Sequence, residues 1–224
     1  MIVYDPFNLT AKFNNVDGLE WKVLQTLIDS TDPDIEDFWK LLKYDTEDAL
    51  LQNKLTKKEK QGMIELSLNN LSDQASLKQI IMAPYLDEAL TFSGSKMFIY
   101  VSGIHPSRSD KQYQVELTVD LICHAKIALI AAKTLGDEDL EYQNPNETDI
   151  DGNPIVKYKN RITALTTRLI SALNGLINLD LGGHLALNNA RDISSKSDGK
   201  LFSSRSYYGS ETVFTVTFAQ TRDD

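Results

Sequence analysis

The hydrophobic residues change their spacing near residue 95, and this change constrains the fold of the 224-residue chain more than any other feature. Before it, apolar residues recur every three or four positions, as on the buried side of an amphipathic helix. After it, in the segments 96–104 and 111–124, apolar and polar residues alternate, as on a strand with one buried face. The sequence therefore predicts an α+β protein with an N-terminal helical region over 1–90 and a sheet domain over 91–224.

The N-terminal region is predicted to contain three helices. An apolar stripe over 19–28 indicates the first. Asp32 and Pro33 are typical of the N-cap and first turn of the second helix, and residues 56–59 have the spacing of a capping box at the start of the third. We expect this helical block to continue to Ile81.

The sheet domain is predicted to begin with a hairpin made of the segments 96–104 and 111–124, and to end with the β-patterned segments 182–193 and 211–220. The polar face of the long strand 111–124 predicts an antiparallel or mixed sheet that is wet on one side or covered by a partner. The alanine-rich segment 125–135 favours a short helix.

A long amphipathic helix is predicted from Tyr158 to about Leu176, ended by Gly182 and Gly183. It would cover one face of the sheet and leave Arg161 off its apolar side. Two long polar loops, 136–157 and 194–206, flank the region that holds this helix and are expected to be mobile or partner-binding.

The composition excludes several classes of function. A net charge of −9 and a pI near 4.9 argue against non-specific nucleic-acid binding and against binding to an anionic membrane surface. No window approaches the roughly 20 apolar residues of a membrane span, and the start of the chain does not read as a signal peptide. The single cysteine, Cys123, excludes an intramolecular disulfide and is expected in the core. We therefore expect a protein of the cytosol, or one assembled there.

One acidic turn resembles part of a calcium loop. Asp149 and Asp151 precede Gly152 as two of the ligands would, but the position of the bidentate acid falls on Tyr158. A plain Asp-Gly turn is the favoured interpretation. The three histidines lack zinc spacing, and no phosphate-binding or nucleophile motif is present. The sequence therefore predicts no metal, no cofactor and no catalytic residue.

The order of the elements nevertheless resembles a known family. An N-terminal helical part, the hairpin 96–124, the helix starting at Arg161 and the closing "SYYGSETVFTVTF" look like the tail-terminator and neck (head–tail connector) proteins of tailed bacteriophages. The resemblance covers about residues 96–219. It implies a tail-terminator-like fold and a ring, commonly a hexamer, that joins capsid to tail through protein–protein contacts without catalysis. It also implies a virion protein assembled in the host cytoplasm, through which DNA passes without sequence-specific binding.

The candidate interface residues lie in the polar loops and in the final element. They are Arg108 and Lys111 of the hairpin loop, Lys196, Lys200 and Arg205 of the loop 194–206, and Tyr207 and Tyr208. The expected partners are further copies of the chain and other head, neck or tail proteins. Two alternatives remain open, which are a cytosolic regulatory module that binds a protein and a small-molecule or metal enzyme on an α+β scaffold.

Overall fold

The computed structural model describes residues 16, 18–65, 78–84, 93–106, 112–131, 158–175, 177–178, 183–193 and 207–219. The predicted loops 136–157 and 194–206 lie outside these residues. The described helices are α1 (Leu19–Asp29), α2 (Pro33–Lys43), α3 (Lys57–Gly62) and α4 (Arg161–Leu173). The described strands are β1 (Ile64–Glu65), β2 (Ile80–Ile81), β3 (Ser95–Pro106), β4 (Gln112–His124), β5 (Leu129–Ala131), β6 (Tyr158–Asn160), β7 (Ile177–Asn178), β8 (Gly183–Asp192) and β9 (Tyr207–Ala219).

The strands form a mixed sheet in the order β1-β2-β3-β4-β9-β8-β7. The pairs β1–β2 and β2–β3 are parallel, and the remaining pairs are antiparallel. The last strand, β9, lies in the middle, between β4 and β8. Strands β5 and β6 pair separately. The protein is therefore α+β, as predicted, with N-terminal helices followed by a mixed sheet.

One face of the sheet packs against helices, and we call it the helix-covered face. On β4 it carries the fully buried residues Val115, Leu117, Val119, Leu121 and Cys123. These side chains belong to one hydrophobic core that also contains the buried residues of α1, α2 and α4. The placement of Cys123 in the core is confirmed. The N-terminal helices and the sheet therefore share their buried surface.

The predicted covering helix is shorter than expected. Helix α4 begins at Arg161, after the short strand β6, and ends at Leu173. The chain leaves the helix through Gly175, whose φ of 78° suits glycine, so the predicted stop at Gly182 and Gly183 was wrong. Helices α1 and α2 also cover the sheet, because their buried apolar residues belong to the same core as those of α4.

Two further predictions were wrong in detail. Ile80 and Ile81 form strand β2 instead of ending a helix, because the Ile80 N–H donates to the Met63 carbonyl and both residues pair with β3. The described part of the segment 125–135 is a 3-10 turn over Ala125–Ile127 followed by strand β5, not a helix. Pairing with distant strands overrides local propensity at both places.

The predicted helix starts are confirmed. Asp32 accepts a hydrogen bond from the Asp34 N–H at 2.8 Å, with Pro33 as the first helical residue. Thr56 and Glu59 form a reciprocal capping box. None of the described helices has the length and apolar character needed to cross a lipid bilayer.

Candidate functional site

Of the seven predicted interface residues, Tyr207 and Tyr208 lie within the described structure, at the start of β9. Arg108, Lys111, Lys196, Lys200 and Arg205 lie outside it, as do the weak metal candidates Asp149 and Asp151. Tyr207 is buried and packs edge to face against His124, with ring centroids 5.3 Å apart. Tyr208 is 44% exposed, so it is the tyrosine that a partner can reach.

The glycine after the two tyrosines allows a close approach between strands. A Cβ atom on Gly209 would lie 3.0 Å from the Leu121 carbonyl oxygen and 3.0 Å from a side-chain carbon of Ile193. A backbone atom on one side cannot move away cheaply, so a larger residue here would push β9 away from its neighbours. The Tyr-Tyr-Gly element is therefore built into the sheet, and it presents only Tyr208 outward.

Tyr208 borders an open groove with a volume of about 280 Å³, which we call the α4–β8 groove. It runs between the N-terminal half of α4, the end of β8 and the start of β9. Its lining includes the polar residues Asn160, Thr163, Thr166, Thr167 and Ser210. The hydroxyl groups of Thr166 and Ser210 hydrogen-bond to each other and tie the helix to the strand. Sequence reasoning missed this site, although the run of threonines on the polar side of α4 was a signal for it.

The sheet face that turns away from the core carries a row of polar side chains, of which Asp120 is buried. Asp120 of β4 lies directly opposite Glu211 of β9, and the Asp120 carboxylate accepts a hydrogen bond from the Tyr100 hydroxyl at 3.3 Å. Arg191 of β8 forms an ion pair with Glu211. Burial, followed by the nearby Asp120 carboxylate, raises the pKa of Tyr100. The phenol therefore stays protonated at neutral pH and does not act as a base.

The sequence predicted that this face is wet or covered by a partner, and the structure shows a face that is exposed only in part. Gln114 is exposed and Glu116 is half-buried, but Thr118 and Asp120 are almost fully buried. A shallow polar hollow of about 400 Å³ lies on the sheet near the exposed Gln114 of β4, and its lining includes His105, Glu116 and Thr215. The His105 Nε2 and Glu116 Oε2 atoms are 3.7 Å apart. Across the residues that the structure describes, no group of three His, Cys, Asp or Glu side chains could hold a metal ion.

Arg161 is fully buried, which corrects its predicted place on the polar side of the helix. Its guanidinium donates hydrogen bonds to the carbonyl oxygens of Ile127, Leu41, Tyr44 and Thr46, at 2.6 to 2.8 Å. Burial lowers the pKa of this guanidinium from its ordinary value. Its donors are directed to backbone carbonyls of the fold, so the role of Arg161 is structural.

Lys96 is another buried cation. Its ammonium donates to the Lys78 carbonyl oxygen at 2.9 Å. Burial lowers the pKa of Lys96 to about 8, although the Asp45 and Glu65 carboxylates act in the opposite direction. Burial also raises the pKa of the Cys123 thiol to about 12, so this thiol is not a nucleophile at neutral pH.

Neither a protein-family model nor a curated protein matches this chain. The resemblance to tail-terminator and neck proteins therefore stays a prediction.

Proposed function

We propose that this protein is a structural component of a tailed-bacteriophage virion and forms an oligomeric ring at the head–tail junction or tail end. In this role it binds other head, neck or tail proteins, requires no cofactor and catalyses no reaction. DNA passes the ring without sequence-specific contacts, which the net charge of −9 favours because like charges repel.

The observation that carries this proposal is the order and packing of the elements from β3 onward. The hairpin β3–β4 comes first, α4 follows and packs on the sheet, and the closing strand β9 starts with the Tyr-Tyr-Gly element. This is the arrangement that the resemblance to tail-terminator and neck proteins implies. Fold alone does not establish function, so the proposal needs a direct test.

The chemistry of the described residues supports a role without catalysis. The one thiol is buried and protonated, the Tyr100 phenol is held protonated, and Arg161 is fixed by backbone carbonyls. The exposed features are instead those of a contact surface, including the exposed Tyr208 ring and the open groove beside it. Exposed aromatic rings are enriched at protein interfaces.

Light scattering on the purified chain tests the ring. We expect a defined oligomer whose mass is a multiple of 25.2 kDa, and we expect higher salt to favour it because salt screens the repulsion between acidic subunits. Tyr208→Ala should weaken association. Leu51→Ala is the matched control, since Leu51 is also exposed but lies in the N-terminal region. A monomer at every salt concentration would contradict the ring.

Genetic deletion with electron microscopy tests the location in the virion. Particles that lack the protein should show unjoined heads and tails, or tails of abnormal length. Normal, infectious and fully joined particles would remove the proposal.

A further inference from the structure

Strand β8 has one edge that is only partly used. In the described part of the chain, β7 pairs with β8 at Gly183 and His184 alone. Two further groups on this edge are satisfied from the end of α4, because the Leu185 carbonyl accepts from the Gly175 N–H and the Leu187 N–H donates to the Asn174 side chain. These bonds show that Leu185 and Leu187 direct their backbone groups away from β9.

A bulge then shifts the pattern. The pairing of β8 with β9 skips Asn188. After this bulge, Ala190 and Asp192 are the residues whose backbone N–H and C=O groups point away from β9. The hydrogen bond from the Ile193 N–H to the Gly209 carbonyl supports this assignment independently. It shows that the backbone groups of Ile193 point toward β9, so those of the preceding residue, Asp192, point away from it. No strand among the described residues pairs with this stretch on its outer side.

The protein satisfies another such edge internally. Strand β3 extends beyond the two residues that β2 covers, and there the Val101 N–H donates to the Glu20 carboxylate at 3.1 Å. The outward edge at Ala190 and Asp192 lies instead beside the α4–β8 groove, because Ala190 and Arg191 belong to the lining of that groove. A strand edge beside a groove is the arrangement that accepts an added strand in peptide recognition.

We propose that the α4–β8 groove binds a short extended segment of a partner protein, which joins the sheet as an additional strand next to β8. Its backbone would pair with Ala190 and Asp192, because only an extended chain presents donors and acceptors at the spacing of alternate strand residues, about 6.6 Å. We expect its side chains on the helix side to be small or hydroxylated, because the groove beside Thr163, Thr167 and Tyr208 has a volume of only about 280 Å³ and a polar lining. This binding does not depend on the proposed role in the virion.

The size of the site argues for a linear segment and against a second folded copy. Pairing over Ala190–Asp192 covers three residues of strand, whereas a stable interface between folded proteins buries at least about 1,200 Å² in total. A segment that reaches in from a partner needs only the groove and the open edge.

Nuclear magnetic resonance of the full ¹⁵N-labelled chain tests this with a defined probe, the blocked peptide Thr-Ala-Thr-Ala-Thr. We expect saturable shifts at Ala190 to Asp192 and at Thr163 and Thr167, at peptide concentrations up to about 10 mM, where a millimolar complex is largely formed. The same peptide methylated on its backbone nitrogens cannot donate hydrogen bonds. It should bind at least about tenfold more weakly, since each lost hydrogen bond weakens binding several-fold.

Three variants complete the test. Thr167→Arg fills the groove and should abolish the shifts, whereas Ser171→Arg places the same side chain on the next turn of α4, outside the lining, and should leave them unchanged. Ala190→Pro removes the outward N–H without breaking a bond to β9, and it should weaken peptide binding while the circular dichroism spectrum stays the same.

Three results would overturn the proposal. The first is the absence of saturable shifts at Ala190–Asp192, and the second is equal binding of the methylated peptide. The third is a mass that rises with protein concentration in the wild type but stays that of a monomer in Ala190→Pro, because this would assign the edge to a second copy of the chain.

Discussion

Replacing Arg161 with methionine should destabilise the fold more than any other single change of an arginine in the described residues. Arg161 is the first residue of α4, yet its guanidinium serves the end of α2. It donates to the carbonyls of Leu41 and Tyr44, which the ending helix leaves without helical partners. It also donates to the carbonyl of Thr46, which lies beyond the helix, and to that of Ile127 next to β5. Its positive charge also suits the negative end of the α2 dipole. One side chain therefore joins three distant segments.

The expected loss can be worked from the burial of these bonds. The bonds to Leu41 and Ile127 are buried, and an unpaired buried acceptor costs about 1–3 kcal/mol. The carbonyls of Tyr44 and Thr46 are partly exposed, so water can replace the guanidinium there. Removing a buried charge returns some of its desolvation cost. We expect Arg161→Met to lower the free energy of unfolding by about 3 kcal/mol, or the melting temperature by roughly 6–12 °C.

Urea unfolding followed by circular dichroism measures this difference. Arg191→Met is the matched control, because the Arg191 side chain is 46% exposed and its ion pair should contribute less than about 1 kcal/mol. Arg161→Lys should fall between wild type and Arg161→Met, since a single ammonium cannot reach carbonyls on both sides. If Arg161→Met unfolds within about 0.5 kcal/mol of the wild type, the guanidinium does not hold these segments together.

Three further predictions follow from buried side chains. Leu169→Asp should unfold the protein because it buries an unpaired charge in the core, whereas the control Leu169→Met should fold. A soluble Leu169→Asp variant with an unchanged melting temperature would disprove the packing of α4. The pKa of Lys96 is lowered from 10.5 to about 8, so the protein takes up a proton when it unfolds between these pH values. The free energy of unfolding of the wild type, relative to that of Lys96→Met, should therefore rise with pH across this window. A difference that stays constant with pH would contradict the burial of the ammonium. The Cys123 thiol should react with Ellman's reagent only after denaturation, and rapid reaction of the native protein would show that the core is open.

Local signals in the sequence were sufficient for much of the fold. The capping box at Thr56 and the Asp32 cap were predicted correctly, since the bonds involved join residues two or three positions apart. The alternation over 111–124 identified β4 and its buried side, including Cys123, because a strand exposes its two faces in turn. The α+β class followed from the change of period near residue 95.

Contacts between distant residues were decided only by the tertiary structure. The apolar pattern of the helix puts Arg161 on its polar side, because this pattern carries no information about residues far away in the chain. Leu41, whose carbonyl accepts a hydrogen bond from Arg161, is 120 positions away. Strand β2 was missed because two residues are too few to show a period. The α4–β8 groove depends on three elements and on a bulge at Asn188, so the threonines of α4 could suggest a polar surface but not an open sheet edge beside it. Sequence periodicity reports which side of an element is buried, whereas the partner that buries or completes it is fixed only when the chain folds.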